Sequence, residues 1–185
     1  MQDISKNIII HASEGDLNAF ESIYNAVSGF VYSIAYKMTY SREDAQEITQ
    51  DVFLKIYKNL KWFRFQSSFT TWVYRITVNV AINFSKRRAR EQEKMITYKD
   101  DVKLKTAAIA KEEKTHKAGN EEILGSLLAI LNPDQRACMI LRNIEGLSYK
   151  EIAKTLKINI NTVRTRLKRA REKILDNFQK RGGKQ

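Results

Sequence analysis

Tight turns are what this sequence is least equipped to make. Its 185 residues include seven Gly and a single Pro, and a β-sandwich or barrel needs frequent turns built largely on those residue types. Helices need few of either. The apolar fraction of 43% is enough for packed cores, and the apolar residues recur at three- and four-residue steps, so we expect an all-α protein. Its length suits two small helical domains. One Cys cannot close an internal disulfide, and one Cys with two His cannot complete a closed Cys/His zinc site. No apolar run approaches membrane-spanning length, and Met1-Gln2-Asp3 lacks the basic-then-apolar pattern of a secretion signal. The expectation is a soluble, cytoplasmic protein with no cofactor.

Charge is distributed unevenly. The net formal charge is +12, which suits a polyanionic partner. Residues 1–84 hold 8 basic and 8 acidic side chains, whereas residues 126–185 hold 14 basic and 5 acidic. An electrostatic footprint for nucleic acid has this form, and so does a basic tail that serves solubility.

Three helices are expected in the first half. Asp16 is placed to cap one carrying Leu17, Phe20, Ile23, Tyr24, Val27, Val31, Ile34 and Ala35, with Gly29 weakening it without ending it. Ser41, with Asp44 three residues on, opens a second over about 42–60. Its packing stripe is Ala45, Ile48, Val52, Ile56 and Leu60, and Asp44, Glu47 and Asp51 project away from it. A third, about 69–90, packs through Phe69, Trp72, Val73, Ile76 and Val80 and carries Arg75, Asn79, Asn83 and Arg87 on its other side. From 91 to 121 mixed charge replaces apolar residues, the pattern of a flexible linker with nascent helix. A second domain, 122–185, begins with Ile123, Leu124, Leu127, Leu128 and Leu131, then Asn132-Pro133, an N-cap followed by Pro at the first helical position.

The sharpest pattern lies at 148–171. Ser148-Tyr149-Lys150-Glu151 forms a capping box opening a short helix with Ile152, Ala153 and Leu156. Lys157-Ile158-Asn159 turns into a longer basic helix with an inward stripe of Val163, Leu167, Ala170, Ile174 and Phe178. This is a helix-turn-helix, in which Asn161, Arg164, Thr165, Lys168 and Arg169 point outward. Such groups reach guanine edges, phosphates and thymine methyls in a major groove. A solvated basic helix in a bundle is the competing reading.

These residues resemble a known family. Leu147-Ser148-Tyr149-Lys150-Glu151-Ile152-Ala153 and Thr162-Val163-Arg164-Thr165-Arg166-Leu167-Lys168-Arg169-Ala170-Arg171-Glu172-Lys173 are similar to the minus-35 reading domain of bacterial sigma factors of the extracytoplasmic-function (ECF) group, sigma-70 family. Asp44-Ala45-Gln46-Glu47-Ile48-Thr49-Gln50-Asp51-Val52-Phe53 resembles that family's polymerase-binding helix. Phe69-Thr70-Thr71-Trp72-Val73-Tyr74-Arg75-Ile76-Thr77-Val78-Asn79 resembles its minus-ten opening segment. Lys157 stands where relatives usually carry Gly, which predicts a left-handed, non-glycine residue in the turn. The resemblance implies a non-enzymatic initiation factor. Residues 1–90 would bind core RNA polymerase and melt the minus-ten element; residues 122–185 would dock on duplex minus-35 DNA through Lys150, Asn161, Thr162, Arg164, Thr165, Lys168 and Arg169. It also implies an anti-sigma factor as partner.

Six of the 18 aromatic residues fall between Trp62 and Tyr74. Phe69 and Trp72 suit a core at least as well as DNA. The loop from Phe63 to Ser68 is different: Phe65 with Gln66, Ser67 and Ser68 can stack on or hydrogen-bond an extruded base, and in the resembled family this loop pockets a flipped base of the nontemplate strand. The expected minus-ten set is completed by Arg64, Arg75 and Arg87 on phosphates and by Trp72, Asn79 and Asn83. The carboxylate face with Asp44, Glu47 and Asp51 also suits plain solvation, or a metal site, for which no second acidic motif exists. The resemblance assigns it, with Gln46 and Gln50, to the clamp helices of the polymerase largest subunit. Cys138 reads as a small core residue. No nucleophile motif, phosphate loop or acid–base pair is visible. The alternative is a stand-alone helix-turn-helix regulator that binds an operator without polymerase.

Overall fold

The computed structural model describes residues 4–100 and 118–182, with side chains over 4–91 and 123–180. Among the described residues every regular element is helical: α1 (Lys6–Ser13), α2 (Leu17–Thr39), α3 (Arg42–Asn59), a 3₁₀ turn (Leu60–Trp62), α4 (Phe69–Asp100), α5 (Ala118–Ala129), α6 (Pro133–Met139), a π turn (Ile140–Ile144), α7 (Tyr149–Leu156) and α8 (Ile160–Gly182). The flexible-linker expectation for 91–121 falls partly outside the described residues. At its edges, helix runs past 90 to Asp100 and resumes at Ala118, before 122.

The helices begin where their caps stand. Asp16 accepts the amides of Asn18 and Ala19 at 2.8 and 3.1 Å, and α2 continues through Gly29. Ser41 accepts the Asp44 amide at 3.1 Å. Asn132 and Gln135 close a capping box at α6, as Ser148 and Glu151 do at α7. Each such cap satisfies amides that a helix start leaves unpaired, a contribution of about 1 kcal/mol.

In the first half, α2, α3 and α4 pack around one another with α1 against α2. Ile23, Val27, Val31, Ile34, Ala45, Ile48, Val52, Ile56 and Leu60 are buried, the stripes expected from their spacing. Leu17 and Tyr24 are exposed, so the outer edge of the α2 stripe does not join the core.

Helix α4 is buried on more than its expected face. Phe69, Val73, Thr77, Val80 and Phe84 form one stripe, while Trp72 and Ile76 are only half-buried. Tyr74, Val78 and Ile82, four residues apart, form another that is also buried. The Tyr74 ring lies 5.8 Å from that of Phe30 in α2, centroid to centroid, and α4 also meets α6 and α7. The second half thus lies against the first. Arg136 in α6 donates to the carbonyl oxygens of Leu128, Ala129 and Leu131 and, at 2.7 Å, to that of Met38 in α2. Lys37 pairs with Glu145 at 3.2 Å and Lys86 with Asp134 at 2.8 Å. Gly125 is required here: a Cβ at this position would stand 2.8 Å from the Tyr40 ring.

The C-terminal core holds Leu128, Leu131, Ala137, Cys138, Ile140, Leu141, Ile152, Leu156, Val163, Leu167 and Ala170. The expected inward stripe of α8 ends early. Ile174 is half-buried and Phe178 exposed, because α8 runs beyond the short helices α6 and α7 that cover its first turns. Ile123 and Leu124, at the start of this half, are exposed as well.

Candidate functional site

Three groups of side chains emerge from this framework. The first lies on α7 and α8. Lys157 adopts φ +54, ψ +45, so the turn forms with a non-glycine residue in the left-handed region. Asn159 accepts the Asn161 amide at 2.8 Å and starts α8. With Val163, Leu167 and Ala170 buried, Asn161, Arg164, Thr165, Lys168 and Arg169 are exposed together, Lys150 is exposed on α7, and Thr162 is half-buried. The Asn161 amide oxygen accepts from the Arg164 guanidinium at 2.9 Å, which pre-orients a donor-rich fork on the outer face. Arg166, facing inward, pairs with Asp134 at 3.3 Å.

The second group is the loop before α4 and the outer face of that helix. Phe63 is buried and touches Phe65, Phe69 and Trp72, ring centroids 4.8, 5.6 and 5.1 Å apart. Phe65 is the exposed end of this cluster, held at φ +55. Arg64, Gln66 and Ser68 are exposed and Ser67 half-buried. Ser68 has a structural role too: its hydroxyl accepts the Thr71 amide at 3.2 Å, a cap for α4. Asn83 and Arg87 are exposed, Asn79 and Arg75 half-buried. The Nε of Arg75 is buried without a hydrogen-bond partner among the described residues.

The third group is the outer face of α3. Gln46, Glu47 and Gln50 are exposed, and Asp44 and Asp51 half-buried. The structure joins this face to α4: Arg87 donates to Glu47 at 2.9 Å and Arg88 to Asp44 at 3.0 Å. The Asp44 carboxylate holds the Arg88 guanidinium more firmly protonated than usual, first through that hydrogen bond and then through its charge. The sequence reading missed Arg88, as it missed Asp134, Arg136 and Lys6, whose ammonium lies 5.0 Å from the centroid of the Phe65 ring. Their roles depend on contacts between distant elements, which local spacing does not encode.

Comparison with known proteins decides the family. Residues 23–91 match the family model for Sigma-70 region 2, and residues 121–174 that for Sigma-70, region 4. The chain is 30% identical over 178 residues to the ECF RNA polymerase sigma-E factor of Haemophilus influenzae, covering 93% of this chain and 94% of that one. The chain belongs to the ECF sigma factors. It is also 31% identical to the ECF RNA polymerase sigma factor SigE of Mycolicibacterium smegmatis, of whose length it spans 56%. Among solved structures, the sigma factor RpoE of Bartonella quintana, in complex with the anti-sigma factor NepR, shares the fold of this sigma factor: TM-score 0.62 at 23% identity, covering 88% of this chain and 98% of that one. The region 2 match contains the α3 face and the outer row of α4, and the region 4 match contains the outward row of α8. No helix of the described residues is long and apolar enough to cross a membrane.

Proposed function

We propose that this sigma factor acts through a division of labour between its two halves, and that it carries out no catalysis of its own. Residues 1–90 serve the polymerase and the melted strand, 91–121 link, and 122–185 read duplex DNA. Asp44, Gln46, Glu47, Gln50 and Asp51 form the face that meets core RNA polymerase. The outward row of α8, with Lys150 and Thr162, enters the major groove of the minus-35 element. Here Asn161, Arg164 and Arg169 supply hydrogen bonds to base edges and phosphates, and Lys168 supplies charge.

The aromatic loop and α4 act on the minus-ten element. Phe65 offers a stacking face, Trp72 backs it, and Gln66, Ser67 and Ser68 supply polar groups around an extruded base. Arg64, Arg75 and Arg87 hold phosphates, with Asn79 and Asn83 beside the strand. Stacking offsets part of the cost of lost pairing, about 1–3 kcal/mol per base. Neither half needs to bind tightly alone, because one polymerase carries both and raises their effective concentration at the promoter. The observation that supports this best is the exposed row Asn161, Arg164, Thr165, Lys168 and Arg169 opposite a buried stripe on the same helix. An anti-sigma factor as antagonist is supported by the complex in which the Bartonella relative was solved, and a cytoplasmic location by partners of this kind.

The test is run-off transcription from a library of randomised upstream sequences with purified core polymerase. Core plus this chain starts RNA at a selected promoter; a stand-alone regulator leaves core unselective until a separate sigma factor is added.

A further inference from the structure

Lys6 lies far in sequence from every residue assigned to DNA, yet α1 delivers it to the aromatic loop. Its helix is anchored by Ile9 and Ala12, both buried, and packs against α2 and the Leu60–Trp62 turn. Lys6 precedes Ile9 by three residues and shares its side of the helix. The side that packs at Ile9 therefore reaches the loop one turn earlier. There the ammonium stands 5.0 Å from the centroid of the Phe65 ring.

Phe65 itself is held unusually. It has φ +55, a region disfavoured for a residue with a Cβ, and its ring rests at 4.8 Å on Phe63, which Phe69 and Trp72 support from behind. Phe65 remains 41% exposed, so a buried aromatic base holds up an open residue with a cation beside it. A second such pair lies next to it: the Lys61 ammonium is 5.2 Å from the centroid of the exposed Trp62 ring. Arg64 is exposed between them in sequence.

We propose that Lys6 is a further nucleotide-binding residue of the minus-ten site, contacting the phosphate of the nucleotide stacked on Phe65. The inference rests on the reading of this loop as a single-strand site. A Lys ammonium has three donors, no acceptor and a flexible stem. Above an exposed ring it is weakly held, so an arriving phosphate draws it off with release of condensed counterions. The base then takes the ring face that the ammonium leaves, and Lys6 closes over the backbone. Helix α1 thereby becomes part of the strand-binding surface.

The experiment uses holoenzyme reconstituted from core polymerase and the full chain. The probe is the fluorescently labelled nontemplate minus-ten strand of the promoter selected in the run-off assay. Lys6→Met keeps the apolar stem and removes the charge; it is expected to weaken binding about fivefold at low salt and to lower the slope of log K against log salt by about 0.7, the share of one single-strand phosphate. Lys6→Arg is expected to restore both. Weakened binding with an unchanged slope would mean that Lys6 only props the ring, and overturns the phosphate contact. Wild-type affinity and slope in Lys6→Met, with Phe65→Ala weakened, overturns the role of Lys6 and leaves the loop assignment standing. Wild-type affinity in both variants overturns the loop assignment as well. Helix content and melting temperature, unchanged in Lys6→Met, exclude a folding defect.

Discussion

Arg87 donates from Nη2 to Oε1 of Glu47 at 2.9 Å, joining a side chain assigned to promoter DNA to one assigned to the polymerase. Arg88 and Asp44 repeat the arrangement at 3.0 Å. In the free chain, the carboxylates of α3 neutralise part of the basic end of α4. Both members of the Arg87–Glu47 pair are more than half exposed, so the pair is worth no more than about 1 kcal/mol. That is still enough to bias a competition.

Glu47→Gln is therefore expected to act in opposite directions on the two partners. Single-strand DNA binding by the free chain rises up to about fivefold at low salt, and the gain fades as salt screens the charges. Co-purification with core polymerase falls. Fluorescence anisotropy and a pull-down at moderate salt read the two effects. Unchanged DNA binding would show that Arg87 is already available to phosphate.

Asp134 receives Lys86 of α4 on one oxygen, at 2.8 Å, and Arg166 of α8 on the other, at 3.3 Å. A single carboxylate thus ties both halves. Asp134→Asn should loosen them, raising the radius of gyration of the free chain in small-angle scattering while leaving helix content intact. Each pair is partly exposed and contributes about 1 kcal/mol or less, so melting shifts only slightly. A radius unchanged at low salt would place the attachment elsewhere, at Arg136 and the apolar contacts of α4.

Arg136 is the harder group to replace. Burial makes its guanidinium somewhat easier to deprotonate than usual, yet it spends its donors on four carbonyl oxygens that close α2, α5 and the turn before α6. Lysine has three donors and no planar fork. Arg136→Lys is expected to cost about 2 kcal/mol, since buried carbonyls are left unpaired. Thermal melting is expected to fall by about 4–8 °C for a chain of this size. A shift below about 1 °C would show that water replaces the lost donors.

Alkaline pH should unfold the protein early. Burial pushes the Cys138 thiol up from 9.0 to about 11 and raises the Tyr74 phenol, which Glu145 raises further. The folded state holds both groups neutral beyond the pH at which the unfolded chain ionises them. Stability is therefore intact below about 9 and declines as pH rises toward 11. Denaturant midpoints at pH 8 and pH 10.5 measure the loss, and Cys138→Ala should reduce the difference even if it lowers both midpoints. A difference of wild-type size would assign the effect to Tyr74.

The caps were the most legible part of the sequence. Asp16, Asn132 and Ser148 each start a helix at the expected residue, because an N-cap bond is local. The left-handed Lys157 was legible for the same reason: the turn dictates the backbone and the side chain tolerates it. Helix α4 was less legible. A period of 3.6 reports one packing face well, but α4 meets α2 and α3 on one hand and α6 and α7 on the other, and two overlapping stripes blur into an apolar helix. At Phe178 the error ran the other way, since the heptad-like spacing continues after the neighbouring helices have ended. Of the candidate site, the outward residues of α8 and the aromatic loop could be found by phase and composition. Lys6 could not, because the contact of α1 with the loop exists only in three dimensions.

Among the described residues, the last turns of α8 leave two large apolar side chains exposed. Leu175 and Phe178 are 59% and 53% exposed, in a stretch where Arg171, Lys173 and Lys180 only just outnumber Glu172 and Asp176. In dilute buffer the chain's net charge of +12 keeps copies apart; as ionic strength climbs, the screening distance shrinks to about 3 Å at 1 M, and greasy surfaces are free to cling. Storage conditions chosen to strip bound nucleic acid from the purified protein are thus the ones that invite it to precipitate.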